Sequence, residues 1–255
     1  MLRRSLLGVA AMAFWRPGAR AAGVRPAVRV AAASDLKFAL GELSAMYQRE
    51  TAQPVQLSLG SSGQFAQQIR QGLPTDIYMS ADEEFVFQLA DAGLTQGRGD
   101  LYALGRIAAL VPAASQLTLD PGLRGLAGAW PQIRHFAIAS PQHAPYGRAA
   151  MQALQRLGLW ERVKPRLVLG ENIAQATQFV ATGAAQAGIT ALSLAVAPEV
   201  ARFARHLVLP GDLHEPLRQR MVLLRSAAPA AADFYRFLRT PAAQTVFRRY
   251  GFTAG

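Results

Sequence analysis

The stretch Ala31-Ala32-Ala33-Ser34-Asp35-Leu36-Lys37-Phe38-Ala39-Leu40 constrains the fold more than any other part of the chain. The residues before it, Ala27-Val28-Arg29-Val30-Ala31, alternate and are β-branched, the pattern of a strand. After Ser34 the apolar residues fall at Leu36, Leu40, Leu43 and Tyr47, which is helical spacing. A strand therefore passes into a helix through a serine, a residue suited to cap the helix N-terminus. The device then repeats. Val55-Gln56-Leu57-Ser58-Leu59 reads as a strand, Gly60-Ser61-Ser62-Gly63 as a loop, and Phe65 and Ile69 as one face of a helix ended by Gly72. The first N–H groups of a helix have no internal partner and sit at the positive end of its dipole. Two such junctions facing each other can enclose an oxyanion.

The alternation of strand and helix continues along the chain. Asp76-Ile77-Tyr78-Met79 is a short buried strand, and Ser80 or Asp82 caps a helix carrying Phe85, Leu89 and Ala90. Leu104 to Pro112 reads as one apolar strand. The pattern restarts after a Pro/Gly-rich stretch. Phe136 to Ala139 is a strand, Ser140 to Gly147 a loop, and Ala150, Met151, Leu154 and Leu157 a helix ended by Gly158. Leu167 to Leu169 is a strand, and Gly170-Glu171-Asn172 leads into a helix with Ile173, Ala176, Thr177 and Val180. Strands at Ala187 to Ala191 and Arg218 to Leu224 follow, then two packing helices, the second capped by Thr240. Such alternation predicts doubly wound parallel sheets. Two α/β units imply two lobes: residues 22–105 with 207–255, and residues 106–206. Ligands of open α/β sheets lie outside the carboxyl ends of the strands, so loops from both lobes would meet one ligand.

Residues 1–21 read as an export signal. Arg3 and Arg4 form a basic start, Ser5 to Phe14 a short apolar run, and Ala19-Arg20-Ala21 a small-x-small cleavage site. Arg3-Arg4 with Leu6-Leu7 resembles a twin-arginine signal, and the general secretory route fits the same segment. The apolar run is too short to span a membrane. An extracytoplasmic, periplasmic location is expected.

Composition narrows the functional classes. The 255 residues include no cysteine, which removes disulfides, thiolate metal sites, cysteine nucleophiles and a lipoprotein anchor. The net charge of +11 invites a nucleic-acid reading. Of the 27 basic residues only Lys37 and Lys164 are lysine, and the arginines are scattered without the interleaved aromatics of single-strand binders. No nucleic-acid partner is expected. Gly60-Ser61-Ser62-Gly63-Gln64 fails the nucleophile-elbow pattern at Gln64, and there is no H-E-x-x-H, P-loop or dinucleotide fingerprint. An enzyme is not expected, and neither is a cofactor. The enzyme rival is an extracytoplasmic hydrolase with Ser62 as nucleophile and His143 as base.

From about Arg29 to Phe252 the chain resembles the periplasmic molybdate-binding proteins of ABC transporters. The matching stretches are Ala32-Ala33-Ser34-Asp35-Leu36, Gly60-Ser61-Ser62-Gly63, Asp76-Ile77-Tyr78-x-Ser80-Ala81-Asp82, Ala144-Pro145-Tyr146-Gly147, Glu171-Asn172-Ile173 and Gly188-Ile189-Thr190-Ala191-Leu192-Ser193. The resemblance implies the type II periplasmic-binding-protein fold, with two α/β lobes joined by two crossover segments around an anion cleft. It implies that a monomer captures molybdate, with tungstate as a close second, and passes it to a membrane permease. The metal would be held as its oxyanion by Ser34, by Ser62 with Ser61 beside it, and by backbone donors at Tyr146 and Ile173. Some relatives add a tyrosine hydroxyl where this chain has Ala191, and the Tyr146 hydroxyl is a candidate replacement. Asp35 would repel a dianion, so its side chain is expected to point away or to cap the helix.

The implied ligand set suits a bare tetrahedral dianion, which offers no proton and needs only donors. Phosphate keeps a proton near pH 7 and profits from an acceptor, which this set lacks unless Asp35 turns inward. Sulfate is smaller, and donors spaced for molybdate would leave long bonds. A receptor for sulfate or another oxyanion is the alternative within the same class.

Overall fold

The computed structural model describes residues 25–254 as ten strands in two sheets, with helices on both faces of each. The segment expected to be an export signal lies outside the described residues. The strands are β1 Val28–Ala33, β2 Val55–Gly60, β3 Ile77–Ser80, β4 Asp100–Gly105, β5 Ile107–Pro112, β6 Phe136–Ala139, β7 Leu167–Gly170, β8 Ala187–Ala191, β9 Ala204–Val208 and β10 Leu217–Leu223. Among the described residues no helix is long and apolar enough to cross a membrane.

The first sheet has the order β2-β1-β3-β10-β4. Its β1 runs parallel to β2 and β3, and β10 lies antiparallel between β3 and β4. Successive side chains of a strand point to opposite faces, and β1 serves two cores in this way. Val28, Val30 and Ala32 face the helices Lys37–Thr51, Pro229–Phe237 and Pro241–Arg249, packing with Leu40, Leu43, Phe234 and Phe247. Ala31 faces the helices Ser62–Arg70 and Glu84–Asp91, packing with Phe65, Ile69, Val86 and Leu89.

The second sheet has the order β7-β6-β8-β5-β9, with β6 parallel to β7 and β8. Along β5, Ile107, Ala109 and Val111 enter one core while Ala108 and Leu110 enter another. Both sheets are thus covered on two faces, as the strand–helix alternation predicts, but they are mixed rather than parallel: β10 in the first and β5 in the second, the strands next to the crossovers, run antiparallel to both neighbours.

The expected single strand from Leu104 to Pro112 is two strands belonging to different sheets. The chain leaves the first sheet at Gly105, turns through exposed Arg106 and enters the second at Ile107. The apolar pattern runs on through the change of sheet, so periodicity alone does not reveal it. The return crossover, residues 209–216, passes beside the first: the Leu209 N–H donates to the Ile107 carbonyl at 3.1 Å. Pairing of β9 with β5 extends through Val208, so the sequence-based boundary at 206/207 falls inside a strand.

Candidate oxyanion site

Four parallel strands deliver their carboxyl ends to one place: β1 and β2 from the first lobe, β6 and β7 from the second. Each leads into a helix, at once after β1 and within one or two residues after β2 and β7, and after the loop 140–144 in the case of β6. Between these ends lies a small cavity of about 10 Å³, lined by Ser34, Asp35, Ser61, Ser62, Tyr146 and Ile173 together with Ala33, Gly60, Ala81, Ala144 and Pro145. This is below the roughly 300–1,000 Å³ of pockets for drug-sized organic ligands. The six residues singled out from the sequence thus line a single cavity, and all six are buried.

The helix over Pro145–Arg156 opens on proline, which has no N–H, so the Tyr146 amide is the first donor it can offer. The helix Ile173–Ala181 begins just after Asn172, whose side chain caps it by accepting from the Gln175 N–H at 3.1 Å. The unpartnered first amides of these helices face the cavity end of the lobe.

The serines divide into two kinds. Ser34 was expected to cap its own helix, but no side-chain cap bond forms there; Ser34–Leu36 is a 3-10 turn and the α-helix starts at Lys37. Instead its hydroxyl reaches across the cleft, donating to Asn172 Oδ1 at 3.0 Å and accepting from the Ala174 N–H at 3.2 Å. Ser61 also reaches across, donating to the His143 carbonyl and lying 2.9 Å from His143 Nδ1. Ser62 stays within its lobe. Its Oγ accepts from the Ala81 N–H at 3.0 Å, which leaves the hydroxyl proton free to donate. Tyr78, which the sequence reading left out of the site, holds this loop by donating to the Ser62 carbonyl at 2.8 Å.

Asp35 departs from expectation. Its side chain neither points to solvent nor caps the helix; it is 1% exposed. Asp35 Oδ2 accepts from Gln219 Nε2 at 2.6 Å and Oδ1 has no hydrogen-bond partner, while the Tyr146 hydroxyl lies close to the carboxyl. Burial pushes its pKa up to about 7, against the pull of the Gln219 and Tyr146 hydrogen bonds. Gln219 also donates to the Tyr146 hydroxyl at 3.0 Å, and the Tyr102 hydroxyl donates to Gln219 Oε1 at 2.6 Å. The Tyr146 hydroxyl, considered as a replacement for the tyrosine absent at Ala191, is therefore engaged with Asp35 and Gln219. A Cβ on Gly105 would stand 2.3 Å from that hydroxyl, so the first crossover passes the network only as glycine.

Gln219 and Tyr102 were missed in the sequence. Gln219 did leave a trace: it occupies a buried-face position of β10 between Leu217 and Met221, flanked by two arginines. A fully buried amide on an otherwise apolar face calls for a buried partner.

The two lobes are also joined by a bond from the Gly63 N–H to the His143 carbonyl at 2.9 Å, by Ser193 Oγ donating to the Asp35 carbonyl at 2.8 Å, and by an Arg148–Asp82 ion pair. Among the described residues no group of three His, Asp or Glu side chains is placed to hold a metal ion. The pair proposed for hydrolysis is not assembled: His143 is bonded to Ser61, and Ser62 to Ala81.

Two doubly wound lobes, two neighbouring crossovers and a cavity at the strand ends define a type II periplasmic binding protein. The profile of the family described as bacterial extracellular solute-binding protein matches residues 28–253, and the chain belongs to that family. Several relatives carry the name molybdate-binding protein ModA. That of Rhodobacter capsulatus is 36% identical over 83% of this chain and 82% of its own. That of Azotobacter vinelandii is 36% identical over 88% of this chain and 89% of its own. The solved structure of the Azotobacter vinelandii periplasmic molybdate-binding protein superposes with a TM-score of 0.83 at 30% identity, covering 89% of this chain and 99% of that one. The resemblance and the fold read from the sequence are borne out.

Proposed function

We propose that this chain is an extracytoplasmic receptor that captures molybdate, and tungstate alongside it, and delivers the anion to an ABC transporter permease. The observation that carries this reading is the convergence of helix N-termini and the Ser62 hydroxyl on one buried cavity too small for an organic substrate. Ser34, Ser61, Ser62, Tyr146 and Ile173 are its proposed anion contacts, the last two through their amides. Donors alone match a dianion that carries no proton, and exclusion of water by the closed lobes strengthens each of them. Molybdate and tungstate share this chemistry. The relatives named for molybdate agree with it.

One observation favours a second oxyanion. Asp35 is among the residues lining the cavity and its Oδ1 has no partner, and an ionised carboxylate there would accept from a protonated anion such as hydrogen phosphate. Thermal unfolding with excess molybdate, tungstate, sulfate or phosphate separates the readings. A ligand at about a thousand times its Kd adds about 4 kcal/mol, roughly 8–16 °C for a chain of this size. The expected result is a rise of that order with molybdate and tungstate and little with the others. A response to sulfate or phosphate instead changes the ligand, and no response to any of the four removes the oxyanion site.

A further inference from the structure

Asp35 poses a problem that the donor set does not solve. A carboxylate lines a cavity assigned to a dianion, among side chains and amides that otherwise offer protons. One of its oxygens is fully engaged, and the other is buried with no partner at all. A buried acceptor left unsatisfied is costly, and more so when it is charged. Among the described residues none of the ion pairs includes Asp35, so no cation compensates it.

Resting on the molybdate reading above, we propose that Asp35 binds the anion in its protonated form. Oδ1, the oxygen without a partner, carries the proton and donates it to one oxygen of the dianion, so that capture takes up one proton from solvent. Neutralised, the side chain becomes one more donor in a set of donors. Ionised, it is a like charge against the ligand.

The surroundings make the switch possible. Burial already brings the group to about 7 before any anion arrives. A dianion alongside disfavours the charged form further. The Tyr146 and Tyr102 hydroxyls, facing Asp35 from the Pro145–Arg156 helix and from β4, are both pushed well above the ordinary tyrosine value by burial, so neither changes charge in the same range. Gln219 on β10 and Ser193, which packs on the Asp35 carbonyl, do not titrate. Lys37, on the same turn, lies over the Phe38 ring, its ammonium 5.3 Å from the centroid. His143 flanks the other side of the cavity against Ser61 and is the remaining group to be separated by experiment.

The test is calorimetric titration of the full chain with molybdate from about pH 6 to about pH 9, in buffers of different ionisation enthalpy. If Asp35 must be protonated, affinity is level below about pH 7 and weakens about tenfold per unit above it. Uptake approaches one proton near pH 8 and falls toward zero near pH 6. Asp35→Asn, which donates at every pH, flattens the profile and abolishes the uptake. A level wild-type profile without uptake overturns the proposal while leaving the receptor reading intact. So does a slope that survives in Asp35→Asn. Phosphate binding more tightly than molybdate near pH 8 overturns it by making Asp35 an acceptor. Absence of molybdate binding at every pH, in wild type as in the variant, removes the receptor reading and this one with it. Should Asp35→Asn not fold, the wild-type proton count decides alone.

Discussion

The two lobes reach the cavity by the same device and bring different chemistry to it. The first lobe presents side chains: the hydroxyls of Ser34, Ser61 and Ser62 and the carboxyl of Asp35. The second presents helix N-termini behind Pro145 and Asn172, and its polar side-chain atoms nearest the cleft, on Asn172 and His143, engage the hydroxyls of the first. The difference teaches where substitutions act. Side-chain deletions in the first lobe remove the free donor of Ser62, a bond across the cleft at Ser34 or Ser61, or the carboxyl of Asp35. In the second lobe they leave the amides in place, and only changes that move the backbone should matter greatly.

The titratable chemistry in that contrast is concentrated on Asp35, and the largest expected effect lies there. A carboxyl whose pKa is raised by folding to about 7, from an ordinary 3.8, favours the fold when protonated. That contribution is whole below about pH 4 and is lost as pH rises through about 7. In urea unfolding of the ligand-free protein at about pH 8, Asp35→Asn should therefore exceed wild type by on the order of 4 kcal/mol, with the gap closing near pH 4. An equal gap at both pH values would assign the effect to packing.

Closure comes next. A Cβ on Gly63 would lie 2.8 Å from the His143 carbonyl oxygen in the opposite lobe. Gly63→Ala should displace the Phe85 ring, 2.9 Å away in its own lobe, and hold the lobes apart, weakening molybdate binding on the order of a hundredfold, about 2.7 kcal/mol. Calorimetry together with small-angle scattering in saturating ligand checks both halves of this statement. A compact, tight-binding variant would show that the lobes close with room to spare.

Ser62→Ala removes a hydroxyl proposed to donate to the anion and also unpairs the Ala81 N–H. Hydrogen bonds to charged groups are worth about 1.5–3 kcal/mol, so Kd should rise about tenfold to a hundredfold. A change below threefold would remove the hydroxyl from the ligand set. The smallest effect belongs to the second lobe. Tyr146→Phe keeps the amide and deletes a hydroxyl already engaged by Asp35 and Gln219. Affinity near pH 6 should stay within about threefold while stability falls by about 1–2 kcal/mol. A large loss of affinity would return that hydroxyl to the anion.

What could be read in advance follows from how local the signal was. Each strand–loop–helix junction is written in ten or so consecutive residues, so the four junctions and the doubly wound fold were legible. Thr240 capping its helix through the Ala243 N–H was legible for the same reason. The partner of the Ser34 hydroxyl was not, because Asn172 lies far along the chain and belongs to the other lobe. Asp35 was expected to point away from the anion or to cap the helix, and its burial beside Gln219 and Tyr146 was hidden because both come from distant elements. The change of sheet at Arg106 was hidden by an apolar run that satisfies either sheet equally well.

The place of β10 bears on the order in which the molecule can be assembled. The second sheet draws all its strands from one continuous stretch, Ile107 to Val208, and can be completed without help from either flank. The first sheet cannot. Its β3 and β4 are joined only through β10, which follows the whole of the other lobe. Bringing such distant segments together carries a loop-closure entropy that the second lobe largely avoids. A chain emerging from its N-terminus therefore holds a finished second lobe beside an unfinished first one, and its anion cavity has only one complete wall until the residues after Pro216 have been laid in.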